Sequence, residues 1–342
     1  MSNRTILMTG GAGFVGHHMV EHFHKNMSYA KIIIMDKLNY SGTLDRLRDI
    51  NCYPNMNVQV LTADFSLPIS DNVKAELKDV THIIHMGAES HVDKSIENPE
   101  PFVISNVVGT MHMLNLARQL DNLETFYYFS TDEVYGACPQ GSSPYTELDC
   151  HNPGNPYAAT KSAGDMLVKA FANTYKISCI TTQCMNIFGE RQHPEKFIPL
   201  CIRKILAGEE ITIHASKDLL TSGKRTYIHA RNVAAAYSSF IETKIYGRSF
   251  PDFYDTYRNF NIVGELEVSN LSVADYIAQI LKKPLYYKMV DFHSSRPGHD
   301  LRYAMSGEKL KRAGWVPPMT FHESLERTVK WYLDNPKWLE VK

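Results

Sequence analysis

Tyr157 and Lys161 stand four residues apart at the start of a helical pattern, so both side chains lie on one helix face. A phenol with its ordinary pKa of about 10 is a poor base near neutrality, but a neighbouring ammonium favours the phenolate. Upstream, Ser130 and Thr131 end an aromatic strand-like run and supply hydroxyl partners. Asp132 and Glu133 follow directly. Adjacent carboxyls in different surroundings can hold different protonation states, one as acid and the other as base. That pairing suits removal of water across two neighbouring carbons.

A second constellation binds rather than reacts. Gly10-Gly11-Ala12-Gly13-Phe14-Val15-Gly16 follows the first apolar run and opens a helical pattern. In such a loop Gly10 permits the tight turn, Gly13 lets backbone approach a pyrophosphate, and Gly16 lets helix pack close on strand. The helix start then offers N–H groups and a partial positive charge to phosphates. Asp36 ends the second strand-like run, 20 residues past Gly16, where a carboxylate accepts hydrogen bonds from a ribose and repels a 2′-phosphate. The expected cofactor is therefore NAD rather than NADP, and its nicotinamide charge adds to that of Lys161 in favouring a Tyr157 phenolate. Asp64, closing the third run, suits the adenine end.

The elements that must position these groups can be read from the same sequence. Short apolar runs at 6–9, 32–35, 58–61, 82–85 and 126–129 suit strands buried on both faces. Helical patterns lie between most of them, near 14–26, 71–78 and 100–119, and continue at 157–175 before a strand at 177–184. This alternation predicts an α/β fold, a doubly wound parallel sheet of the Rossmann type. After about residue 186 the pattern loosens at Pro194, Pro199, Gly208, a polar stretch 216–224 and Pro251. The expected organisation is an NAD-binding domain over 1–185, with parts of the chain after 225 returning to it, and a smaller mixed substrate-binding lobe over 186–342. A last helix at about 321–334 carries Phe321, Leu325, Val329 and Tyr332 at helical spacing.

Composition narrows the partners. The chain has 342 residues, 44% apolar and 21% charged, with 36 basic and 37 acidic side chains and a net charge of −1. That balance offers no basic surplus for a nucleic-acid backbone or an anionic membrane. No apolar run approaches the roughly 18–20 residues that span a bilayer, and the start passes straight into a strand, so a cytoplasmic enzyme is expected. Six cysteines lie scattered without C-x-x-C spacing and suit reduced thiols. His18 and His22 share a helix face, but no third ligand stands at a telling spacing, so no metal is expected.

At this point the residues resemble a known family. Glu-Ser-His-Val-Asp at 89–93, Thr-Asp-Glu-Val-Tyr-Gly at 131–136, His-Pro-Glu-Lys at 193–196 and Arg-Pro-Gly-His-Asp at 296–300 are similar to dTDP-glucose 4,6-dehydratases. The likeness runs from about residue 4 to 338. Related 4-epimerases share the glycines, Tyr157 and Lys161 but usually lack the Asp-Glu pair.

The resemblance implies a mechanism. Tyr157 takes the C4 hydroxyl proton as hydride passes to NAD, Glu133 removes the acidified C5 proton, Asp132 protonates the leaving C6 hydroxyl, and the hydride returns to C6. NAD is thus regenerated and stays bound. Thr131 would bond the C4 oxygen, with Ser90, Asn186, Lys196, Phe197 and Ile198 as further substrate contacts. Arg225 and Arg296 would clamp the diphosphate, a role suited to bidentate arginines, and His299 belongs to the nucleotide end. Phe14, Val15, Lys37, Asn39, Phe65, Met86, Gly87, Ala88, Ser105 and Ser130 complete the implied cofactor site.

The resemblance also implies a homodimer formed by helices near 100–119 and 157–175, which carry Met111, Leu114, Met166, Leu167, Ala170 and Phe171 beyond what one sheet face needs. The sequence departs from the family at Ile187, where an amide is usual, at His214-Ala215-Ser216-Lys217 with about four extra residues before Arg225, at Tyr227, and at Ser295. The substrate base, dTDP, UDP or another, stays open.

Overall fold

The computed structural model describes residues 4–243, 256–292 and 301–340. The central element is a seven-stranded parallel sheet. In chain order its strands are β1 (Thr5–Thr9), β2 (Lys31–Asp36), β3 (Val58–Thr62), β4 (His82–His85), β5 (Thr125–Thr131) and β6 (Cys179–Cys184). A seventh strand joins after four short ones, β7 (Ile187–Phe188), β8 (Ile211–Ala215), β9 (Lys224–Thr226) and β10 (Ile228–His229); it is β11 (Tyr257–Ile262). The spatial order is β11-β6-β5-β4-β1-β2-β3. The chain winds outward from β1 to β3, then crosses back to lay β4 on the other side of β1. The carboxyl ends of β1 and β4 therefore diverge at the topological switch point, where doubly wound sheets bind ligands.

The strands are apolar throughout because both faces are covered. Met8, Ile34, Ile84 and Tyr127 meet one helical layer, and Leu7, Ile33, Ile83 and Phe126 meet the other. The first layer includes α1 (Phe14–Asn26) and the helix Ala230–Thr243, which packs on it through Val233, Tyr237 and Phe240. The second layer includes the helix Gly109–Ala117 and the helix Pro156–Tyr175.

A separate core of Phe188, Ile202, Ile213, Ile277, Leu325 and Tyr332 holds the smaller lobe. It is built from the helices Phe197–Ala207, Asn270–Leu281 and Phe321–Asp334 with two small pairings. In one, β8 runs parallel to β13 (Tyr287–Asp291); in the other, β9 runs antiparallel to β12 (Glu267–Ser269). The final helix spans the range expected from its spacing and starts with a reciprocal capping box between Thr320 and Glu323.

Two expectations change. The single helix near 100–119 is the helix Glu100–Val103, a π-helical turn at Ile104–Val108, and the helix Gly109–Ala117. The wide turn aims the Asn106 amide at the backbone of Glu89 and at the Thr160 hydroxyl, tying the 89–93 loop to the Tyr157 helix. Leu114, expected on a surplus apolar face, is fully buried in the core. The exposed apolar side chains on these helices are Val103 (45%), Ile104 (43%), Met166 (48%), Tyr175 (44%) and Ala170, of which Met166 and Ala170 were expected there.

Candidate active site

The glycine loop follows β1 and faces Gly87 after β4. Gly10 has φ +70°, and a Cβ there would lie 2.9 Å from Gly87 Cα, so two backbone segments meet with no side chain between them. At Gly16 a Cβ would sit 2.6 Å from Gly11 Cα, which explains the close seat of α1 on the loop. No side chain caps the start of α1, so its first N–H groups are not claimed by a side chain.

Asp36 is buried and fixed by two backbone donors, Ala12 N–H to Oδ2 at 3.1 Å and Leu38 N–H to Oδ1 at 2.9 Å. Burial pushes its carboxyl up, against those two bonds. An ionised carboxylate has about four acceptor sites, so room remains for a ribose hydroxyl. The donor set thus fits a dinucleotide.

Several of the other residues expected around the cofactor have contacts of their own. Asp64 Oδ1 accepts from the Ser66 N–H and hydroxyl, at 2.9 and 2.7 Å, and Asn39 Oδ1 accepts from Ser41 N–H at 3.1 Å. Lys37 pairs with Glu89 at 3.1 Å. Phe65 packs edge-on against His85, and a Cβ on Gly109 would lie 2.7 Å from its ring. Met86 is half-buried and Ser105 buried.

The acid pair follows β5 on a short 3-10 turn, Asp132–Tyr135. Thr131 stands at its head, donating to Asp132 Oδ1 at 3.1 Å and accepting from Glu133 N–H at 3.4 Å. The two carboxyls then diverge. Asp132 is buried, its Oδ2 makes no hydrogen bond, and burial together with the Glu133 charge pushes its pKa up to about 7. Arg225 opposes that shift, which places the guanidinium within electrostatic reach of the pair. Glu133 is half-buried and accepts from Asn155 Nδ2 at 2.9 Å.

Asn155 also caps the Tyr157 helix, its Oδ1 taking Ala158 N–H at 2.8 Å. Such a cap is worth about 1 kcal/mol, and here the same side chain locks Glu133 to the helix carrying Tyr157. Pro156 at the first helical turn completes the start signal.

Tyr157 is held by Ser95, whose hydroxyl accepts the Tyr157 N–H at 3.1 Å and donates to Val92 O at 2.6 Å. Burial and the Glu133 charge push the Tyr157 phenol well up, against a hydrogen bond with Thr131. Apart from the Thr131 bond, the groups acting on this phenol all favour its neutral form. Lys161 is buried, with Nζ over the Tyr128 ring at 4.2 Å.

The expected substrate contacts lie around this centre in part. Arg225 donates to Leu301 O at 2.8 Å and stacks over Tyr303 at 4.7 Å. Asn186 is half-buried beside β7, Ser90 and Lys196 are exposed, and Phe197 and Ile198 open the helix after Lys196. Arg296, His299 and Ser295 lie outside the described residues. His18, weighed above as a metal ligand, is buried against Glu190, with Nε2 3.0 Å from its carbonyl oxygen. Among the described residues no cluster could hold a metal ion, and no helix is long and apolar enough to cross a membrane.

Sequence reasoning missed Asn155, Ser95, Asn106 and Asp165. Asn155 alone carried a local signal, a cap residue directly before a proline. Ser95, Asn106 and Asp165 are each fixed by a hydrogen bond to a partner distant in sequence, Tyr157, Glu89 and Ser130.

A glycine loop at the switch point of a parallel sheet, beside a tyrosine–lysine pair, defines a nucleotide-cofactor enzyme of the extended short-chain dehydrogenase class. Within that class, a family profile described as GDP-mannose 4,6 dehydratase matches residues 7–328, and the chain belongs to this family. It is 34% identical to the dTDP-glucose 4,6-dehydratase of Escherichia coli, over 98% of this chain and 94% of that protein. The crystal structure of DesIV, a dTDP-glucose 4,6-dehydratase of Streptomyces venezuelae with NAD and TYD bound, superimposes with a TM-score of 0.85 at 30% identity, covering 98% and 99% of the two chains. The Thermus thermophilus UDP-glucose 4-epimerase shares the fold, with a TM-score of 0.81 at 24% identity over 96% and 99%.

Proposed function

We propose that this chain is an NAD-dependent 4,6-dehydratase of a nucleotide-linked glucose, with dTDP-glucose the first candidate and UDP-glucose the next. The observation that carries the reading is the pair Asp132 and Glu133: adjacent carboxyls beside Tyr157, one buried with a pKa near 7 and the other hydrogen-bonded and partly open. A 4-epimerase needs no such acid and base.

Gly10, Gly13, Gly16 and Asp36 hold the NAD, with Ser130, Tyr157 and Lys161 at its nicotinamide end. When bound, the cofactor supplies a hydride acceptor toward C4 and a hydride donor toward C6. Tyr157 takes the C4 hydroxyl proton while Thr131 bonds the C4 oxygen. Glu133 removes the C5 proton, which the neighbouring ketone has made acidic. Asp132, protonated near neutrality, gives its proton to the C6 hydroxyl, which leaves as water. Arg225 suits the diphosphate. The lobe after residue 186 holds the sugar nucleotide, and the sheet domain up to 185, with β11, holds the cofactor. The exposed Val103, Ile104 and Met166 side chains support a homodimer through these helices.

The test is to mix the purified protein with dTDP-glucose, UDP-glucose, GDP-mannose and UDP-N-acetylglucosamine separately. Loss of one water, about 18 Da, from a glucose nucleotide is the expected result. No mass loss from any of the four would overturn the proposal.

A further inference from the structure

One ionisable group near the site has no part in the steps above. Asp165 sits one turn beyond Lys161 on the helix Pro156–Tyr175, and both are buried, at 0% and 3% exposure. A carboxyl so placed is costly unless it is held and used. Ser130 donates to its Oδ2 at 2.7 Å, while Oδ1 makes no hydrogen bond. Ser130 is the strand-ending hydroxyl immediately before Thr131, so Asp165 joins the end of β5 to the catalytic helix from beneath.

We propose that Asp165 is a positioning residue and counterion for Lys161, fixed by Ser130 so that it keeps the ammonium on the Tyr157 helix charged. The groups facing Lys161 are few. Among the described residues, its own helix supplies Asp165; β5 supplies the Tyr128 ring; β6 supplies Cys184; and His85 at the end of β4 feels its charge. The Cys184 thiol is pushed up by burial and stays neutral, as does the Tyr128 phenol, while the pKa of His85 is lowered by burial. Asp165 is the carboxylate among them; burial pushes its own pKa up, and the Ser130 bond and the Lys161 charge oppose that rise. Burial lowers the Lys161 pKa, and Asp165 is the first influence that raises it.

Asp165 in turn faces Ser130 and Gln183, and the phenols of Tyr128 and Tyr135 feel its charge. Asp132 and Glu133 act on Tyr157 rather than on Lys161. The site thus separates two sets of charge: the acid pair, which raises the Tyr157 phenol, and Asp165, which sustains the cation.

The role rests on the dehydratase reading for its catalytic consequence only, so the test has two readouts. The first needs no substrate: the 13Cε resonance of Lys161 in the full chain, assigned by its loss in K161R, is followed with pH. In D165N, which keeps the Ser130 bond, the Lys161 midpoint should fall by about one pH unit or more, the usual effect of removing a close opposite charge. D165E should restore most of it, and S130A, which frees the carboxyl, should lower it by less.

The second readout is the C4 oxidation, seen as absorbance at 340 nm in an E133Q background where chemistry stops before elimination. There D165N should match its parent within about threefold at pH 6 and lose tenfold or more at pH 9. An unmoved Lys161 midpoint in both D165N and S130A would overturn the proposal. If Lys161 shifts but no sugar nucleotide is ever oxidised, the counterion role stands and the dehydratase reading fails instead.

Discussion

Asp132 and Glu133 are neighbours in sequence with opposite surroundings, and their chemistry follows from that difference. The aspartate is buried beside another carboxylate, so its proton is retained to about pH 7. The glutamate is tethered by Asn155 and partly open. The pair was visible in the sequence, but which member is acid was implied only by family likeness. Burial and the Asn155 contact are the physical grounds for proposing Asp132 as the acid, and neither can be read from two adjacent letters.

The Asp132 assignment has a consequence for stability. A carboxyl whose folded pKa is raised keeps its proton in the native state while the unfolded chain releases it, so native stability falls as pH rises from about 4 to about 7. Asp132→Asn has no such proton. Its urea midpoint relative to wild type should therefore be higher at pH 8 than at pH 5, with turnover down about two to four orders of magnitude. Parallel midpoints across that range would show that Asp132 is not held protonated.

Among the elements, legibility followed locality. The five apolar strands, α1 and the last helix were clear because their periodicity is continuous and their caps and glycines are local. β11 was not foreseen. Its sequence Tyr-Arg-Asn-Phe-Asn-Ile alternates with polar residues, and its partner β6 lies in parallel register more than 70 residues earlier. The π-turn at Ile104–Val108 was equally hidden, since its reason is the reach of Asn106 to Glu89 and Thr160.

The face that these helices leave open makes a prediction at this scale. Val103 and Ile104 lie on the segment packed against the Tyr157 helix, which carries Met166. Met166→Glu should convert a sedimenting dimer of about twice 38.9 kDa toward monomer at micromolar concentration. An unchanged dimer mass would place the contact elsewhere, and a wild-type monomer would remove it.

For the whole molecule, the arrangement is one of shared support. The sheet places Gly10 and Gly87 together at the switch point, β5 delivers Thr131, Asp132 and Glu133, and the helix Pro156–Tyr175 delivers Tyr157 and Lys161. The smaller lobe brings Arg225 toward the acid pair from β9, a closeness that no local pattern announces. The central claim is that one site oxidises C4, removes water across C5 and C6, and returns the same hydride to C6. The most direct measurement uses dTDP-glucose deuterated at C4, with the product analysed by NMR. The account predicts deuterium in the C6 methyl group of a 4-keto product, and in heavy water a solvent deuteron at C5. Label that returns to C4 with no water lost would contradict it and make the enzyme an epimerase.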